Sequence, residues 1–204
     1  MLLPPKFEAL LDLLETILSK DGPDGKVIVW SNFVLNLKAL SRFLDENGIK
    51  NRILTGEVPT QNERTPVDVE TRQKIVSSFH EKDCDFKVIL ANPAAVGESI
   101  SLHKACRNSV YFEKDYNAST FMQSKDRIHR YGLPMDASVN YYFLITSNSI
   151  DLEIHNRVSE KERVMLEIIE NEEIPLFQAY LDEDLSQEDI AFFLRGYYAR
   201  ADKN

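Results

Sequence analysis

No apolar run in the 204-residue chain approaches the roughly 18 residues that a membrane-crossing helix needs. Its start, M-L-L-P-P-K-F-E, has no basic region leading into an apolar block, so a secretory signal is not expected. Cysteine is scarce. Cys84 and Cys106 follow no metal-ligand spacing and make no disulfide framework, which predicts reduced thiols, buried or half-buried, in a cytosolic setting. His80, His103 and His155 are scattered and suggest no metal site. Positive charge is in deficit as well: 24 Lys and Arg face 33 Asp and Glu, for a net charge of −9 and a pI near 5.0. That argues against a broadly basic nucleic-acid surface, so any such contact must come from a local patch or from another part of the protein. No G-x-x-x-x-G-K-[ST] phosphate loop occurs either; the only Gly-Lys pair, Gly25-Lys26, is followed by Val27.

What is present is enough apolar residue, 43% of the chain, for one sizeable core with or without a helical appendage. Phe7, Leu10, Leu11, Leu13, Leu14, Ile17 and Leu18 recur with helical spacing over 6–20, and D-G-P-D-G ends that run. Val27 to Trp30 reads as a buried parallel strand, followed by a helix from about Phe33 to Glu46 with Ser31 or Asn32 as its cap. Further strands are expected at 52–54, 88–90, 110–112 and 139–145, with a helix through Ile75, Val76 and Phe79 between the first two. Alternation of this kind predicts right-handed βαβ units, a parallel sheet covered on both faces, and ligands outside the carboxyl ends of the strands. The loops leaving Trp30, Leu54, Leu90 and Phe112 then share one edge.

The most informative stretch is Asn117 to Gly132, N-A-S-T-F-M-Q-S-K-D-R-I-H-R-Y-G. Gln123, Arg127 and Arg130 are spaced by four and three, which places them on one face of a continuous helix. Paired guanidiniums suit phosphate oxygens. The same spacing also fits a solvated helix face with Asp126 or Glu113 as counter-charge. His129, between the arginines, reads as a packing histidine. Glu113 and Asp115, ahead of the stretch, either cap its helix or orient the arginines.

Q-S-K-D-R-I-H-R-Y-G resembles the sixth motif of superfamily-two helicases in its Swi/Snf-type ATPase form. A-N-P-A-A-V-G-E-S-I-S-L-H-K-A, from Ala91 to Ala105, is similar to the fifth motif, and K-V-I-V-W-S-N-F, from Lys26 to Phe33, to the fourth. The resemblance covers about residues 5 to 170. It implies an α/β, RecA-like three-layer sandwich with a central parallel sheet of five to six strands. The lobe would span 1–147 and a C-terminal extension of brace and tail helices 148–204. It further implies Arg130 as the main arginine finger, Arg127 as a second phosphate or interlobe contact, and Gln123 as a positioning residue for ATP hydrolysis. Gly97, Glu98 and Ser99 would lie at the ATP edge, although Ser99 and Ser101 stand where the family has glycine and asparagine.

Ser31, Asn32, Thr55, Gly56 and Asn92 fall where the family touches the nucleic-acid backbone, which hydroxyls and amides position without reading bases. Lys104, Arg107 and Lys125 could add charge there or be ordinary solvated side chains. The implied partners are duplex DNA and an N-terminal RecA-like lobe of the same protein, with no membrane. That first lobe would hold the magnesium of Mg-ATP, since neither a phosphate loop nor a D-E-x-H-like motif occurs here, and the chain is expected to be inactive without it. The implied location is nuclear in a eukaryote, or cytoplasmic and nucleoid-associated in a prokaryote. The other reading is a non-catalytic α/β scaffold that binds nucleic acid or protein and keeps only the fold. From Asn148 onward an apolar stripe (Ile150, Ile154, Val158, Val164, Met165, Ile168, Ile169) predicts a packed amphipathic helix. Pro175 should break it, and Ser186 to Asp189 should open a last helix carrying Ile190, Phe192, Phe193, Leu194, Tyr197 and Tyr198.

Overall fold

The computed structural model describes residues 4–62, 65–66, 68–94, 100–130, 132–134 and 137–171. Five strands form one parallel sheet in the order β2-β3-β1-β4-β5, with β1 at Val27–Trp30, β2 at Asn51–Leu54, β3 at Val88–Ala91, β4 at Asn108–Tyr111 and β5 at Asn140–Phe143. The helices are α1 (Pro5–Leu18), α2 (Val34–Glu46), α3 (Arg72–His80), α4 (Ala118–Lys125) and α5 (Ile150–Asn171), with a 3₁₀ turn at Gly22–Gly25. The strands lie within a residue or two of their expected places, and the sheet is parallel throughout, as the alternation required.

Successive side chains of a strand point to opposite faces, and here both faces are apolar. Val27, Val29, Val88, Leu90 and Val110 pack with Leu10, Leu14 and Ile17 of α1 and Leu37, Leu40 and Leu44 of α2. Ile28, Trp30, Ile89 and Ala91 pack on the other side with Ile75 and Phe79 of α3, Phe121 of α4, and Val158 and Met165 of α5. Each fully buried aliphatic side chain contributes about 1.5–3 kcal/mol. Three fully buried aliphatics and a nearly buried Phe7 therefore make α1 an integral part of the lobe. The polar ends of the core's large aromatics are satisfied: Trp30 Nε1 donates to Ser109 Oγ at 2.8 Å, and the Tyr111 hydroxyl meets Ser124 Oγ at 2.8 Å.

Helix ends follow local chemistry. Gly48 takes φ +76 just past α2, where its amide bonds Asp45 O and the Ile49 amide bonds Leu44 O, closing the helix's last carbonyls. Thr71 caps α3 by accepting from the Lys74 amide, and Asn117 caps α4 by accepting from the Thr120 amide at 3.0 Å. The start of α2 differs from expectation. Phe33 occupies the cap position without a side-chain bond, and its amide is shared by Ser31 Oγ and by the Glu113 carboxylate, delivered from the end of β4, each at 3.3 Å. In α5, Val158 and Met165 are buried as the stripe predicted, whereas Ile150 is 62% exposed. The expected break at Pro175 and the aromatic helix from Ile190 to Tyr198 lie outside the described residues. Among the described residues no helix is long and apolar enough to cross a membrane.

Candidate active and nucleic-acid sites

The helix expected to carry Gln123, Arg127 and Arg130 on one face ends at Lys125, with Asp126 as its cap. Beyond it the chain tightens into turns, with the Arg127 amide bonding Ser124 O at 3.2 Å and the Ile128 amide bonding Lys125 O at 3.3 Å. The His129 amide still reaches Lys125 O at 3.2 Å, and the Arg127 carbonyl accepts from the Leu102 amide at 2.8 Å. A tertiary bond thus ties this return to the Ile100–Leu102 segment. The single-face arrangement is corrected accordingly: Gln123 is on α4, half-buried, and the arginines lie on the irregular return toward β5.

The two guanidiniums have unlike environments. Arg127 is 7% exposed, and its Nη1 reaches Ile100 O at 3.5 Å, so side chain and backbone both hold it to the Ile100–Leu102 segment. Burial first, then the neighbouring Arg130, holds its pKa below the ordinary arginine value, partly offset by Asp126. Arginine stays charged under such pressure. Arg130 is exposed. Beside it lies His103, whose pKa is lowered by burial and then by Lys104, Arg130 and His80, and whose Nδ1 meets Ser101 Oγ at 2.8 Å. His129 is exposed rather than packed. Gly97, Glu98 and Ser99 fall outside the described residues.

At the carboxyl edge of the sheet, the loops after β1, β2, β3 and β4 do lie together. The Ser31 amide bonds Ala91 O, the Asn92 amide bonds Leu54 O, and the Phe112 amide bonds Trp30 O, at 3.0–3.1 Å. Asn92 Nδ2 donates to Asn32 O at 2.7 Å, while Asn92 Oδ1 accepts from the Ala94 amide at 2.9 Å. Ser31 is fully buried and donates to Glu113 Oε1. Thr55 and Asn92 are also buried, leaving Gly56 exposed and Asn32 half-buried at this edge. Phe33 and Leu35, 63% and 79% exposed, stand beside them. Of the basic residues considered for this surface, Lys125 pairs with Glu162, Arg107 lies 3.9 Å from Asp24, and Lys104 is exposed.

Sequence reasoning assigned Glu113 to the arginines or to the helix that follows it. The carboxylate instead gathers Ser31, the Phe33 amide and Asn36 Nδ2, joining the exits of β1 and β4. An acid placed immediately after a strand, on the edge shared with Ser31 and Asn36, is the signal that could have shown it. Asp115 accepts from the Asn117 amide at 3.0 Å, steadying the residue that itself caps α4. Among the described residues no group of His, Cys, Asp or Glu could hold a metal.

Residues 5–132 match the helicase conserved C-terminal domain family. The ATP-dependent helicase fft1 of Schizosaccharomyces pombe is 31% identical over 147 residues, covering 72% of this chain and 14% of that protein. The DNA repair and recombination protein RDH54 of Saccharomyces cerevisiae is 27% identical over 185 residues, covering 91% of this chain and 18% of that protein. The crystal structure of the C-terminal part of the Fun30 ATPase domain superposes with a TM-score of 0.59 at 25% identity, covering 98% of this chain and 54% of that one. The chain therefore spans less than a fifth of the length of these curated relatives. With the parallel RecA-like sheet and the arginine-bearing return now in view, the chain belongs to the helicase conserved C-terminal domain family, as the second RecA-like lobe of a superfamily-two, Swi/Snf-type ATPase.

Proposed function

We propose that this lobe completes an ATP site formed with an N-terminal RecA-like lobe, and that the pair translocates on duplex DNA. The observation that carries the reading is the contrast between the two arginines. Arg127 is buried and tied to Ile100 and Leu102, whereas Arg130, three residues on, is exposed. A rigid base followed by a free guanidinium suits a group delivered across an interface to a transferring phosphoryl, where such an arginine is worth ~10³–10⁵ in rate. Arg130 is accordingly the finger, Arg127 fixes the segment that presents it, and Gln123 supports that segment from α4. Gly97, Glu98 and Ser99 complete the nucleotide edge, and the first lobe supplies the phosphate cradle and the magnesium. Alone, the chain binds Mg-ATP weakly and turns it over negligibly.

The DNA track runs over the carboxyl edge. Ser31, Thr55 and Asn92 shape the loops there, and Asn32 and Gly56 offer backbone and amide contacts to phosphates. The name of one relative, DNA repair and recombination protein, supports a DNA substrate and a nuclear setting in a eukaryote. Helix α5, which packs on the sheet through Val158 and Met165, is the brace of the lobe. Arg130→Ala in the two-lobe protein, with its melting curve unchanged, is expected to lose DNA-stimulated ATPase activity by about 10³-fold or more. Retained activity would show that Arg130 is no finger and favour the non-catalytic scaffold.

A further inference from the structure

Lys114 follows β4 and lies between α4 and α5. Its Nζ is 4.6 Å from the ring centroids of both Phe121 and Phe143, and 2.7 Å from Nδ1 of His155. Two surface crevices border it, one shared with Asn32 and Thr120 and the other with Ile145 and Ile154. The charged and titratable groups around it are Glu113 and Asp115 in its own segment, Lys125 on α4, and Asp151, His155 and Glu162 on α5. Burial dominates over the attraction of Glu162, Lys125 adds repulsion, and the Lys114 amine is pulled down to about 8. Burial and then Lys114 also lower the His155 pKa, against Glu162, which keeps an acceptor lone pair available near neutral pH. A nucleophile within hydrogen-bond reach of a base is the arrangement that activates amines and hydroxyls.

We propose that Lys114 is a selective acylation site for activated acyl groups of the thioester class, with His155 as its base. The free amine attacks the thioester carbonyl carbon, so that a C–N bond forms and the C–S bond breaks. The amine's proton passes to His155 Nδ1, and the leaving thiolate takes up a proton from the imidazolium or from water. The products are an amide and a thiol, and nothing is oxidised or reduced. The amide carries no charge and so forfeits the cation–π contacts with Phe121 and Phe143. The acyl group must also occupy space beside His155 and Ile154, where α5 meets the lobe.

Incubation of the folded chain with S-acetyl-N-acetylcysteamine at pH 7.5, with occupancy of every lysine followed by peptide mass spectrometry, tests this. The lowered basicity raises the free-amine fraction by roughly two orders of magnitude. Weaker intrinsic nucleophilicity, with a dependence like that of thiols, leaves about a tenfold advantage. Lys114 is expected to react about tenfold faster than the median lysine, with a rate midpoint near pH 8, and to lose that advantage in urea. His155→Phe, which keeps an aromatic ring against Phe143, should slow Lys114 several-fold while the melting curve stays cooperative. After acylation, amides of α5 should exchange faster with deuterium. A native rate at or below the median overturns the site. A His155→Phe rate equal to wild type overturns the base, and unchanged α5 exchange overturns the coupling to that helix.

Discussion

Replacing Glu113 with alanine removes a carboxylate that receives Ser31 Oγ, the Phe33 amide and Asn36 Nδ2. Ser31 is fully buried, so its bond to a charged acceptor counts at the usual 1.5–3 kcal/mol, while the bonds from half-buried Asn36 and exposed Phe33 count for less. Loss of a negative charge at the start of α2 adds a few tenths of a kcal/mol. The sum is about 3 kcal/mol. With a urea m value of roughly 2 kcal/mol/M for a domain of this size, the unfolding midpoint should fall by about 1.5 M. Glu113→Gln should fall by less, because an amide oxygen still accepts. Equilibrium unfolding in urea, followed by Trp30 fluorescence, reads the shift directly, since Trp30 is buried in the strand whose exit Glu113 ties down. A midpoint within about 0.25 M of wild type would refute the anchoring role. Strong non-additivity with Arg127→Met in a double-mutant cycle would restore the counter-charge reading.

Three more outcomes are expected. Lys26 is buried and its ammonium donates to Phe79 O at 2.6 Å and Glu81 O at 2.7 Å, closing the end of α3; Lys26→Met should cost about 2 kcal/mol, measured as a lower melting temperature. Because the folded pKa of Lys114 lies below its unfolded value, the unfolded state binds more protons between about pH 8 and 10.4. Stability of the wild type relative to Lys114→Met should therefore rise across that window, and a flat difference in paired urea titrations counts against the burial of its ammonium. Burial pushes the Cys106 thiol up to about 12, so it should resist alkylation in the folded protein and react at the unfolding rate, while half-buried Cys84 reacts sooner. Equal native rates by mass spectrometry would show that Cys106 is not sealed.

The sequence by itself determined the element types, their order and the two-sided sheet. β-Branched runs such as Val27–Val29 and the helical spacing of Leu10, Leu14 and Ile17 encode burial locally, and that burial is what the fold uses. It also determined the kinship, because the arginine-bearing motif is a matter of residue order alone. Tertiary structure decided what depends on partners far along the chain. The stretch from Asn117 ceases to be helical at Lys125, and beyond it the Leu102 amide, far back along the chain, takes the Arg127 carbonyl. The two arginines, equivalent by spacing, become one buried and one exposed. Glu113 serves α2 across 77 residues to Asn36, and Lys114 meets His155 across 41. Periodicity reports which side of an element faces inward, but it carries no information about which distant group will be waiting there. Hydrogen bonds and pKa values are set by that group.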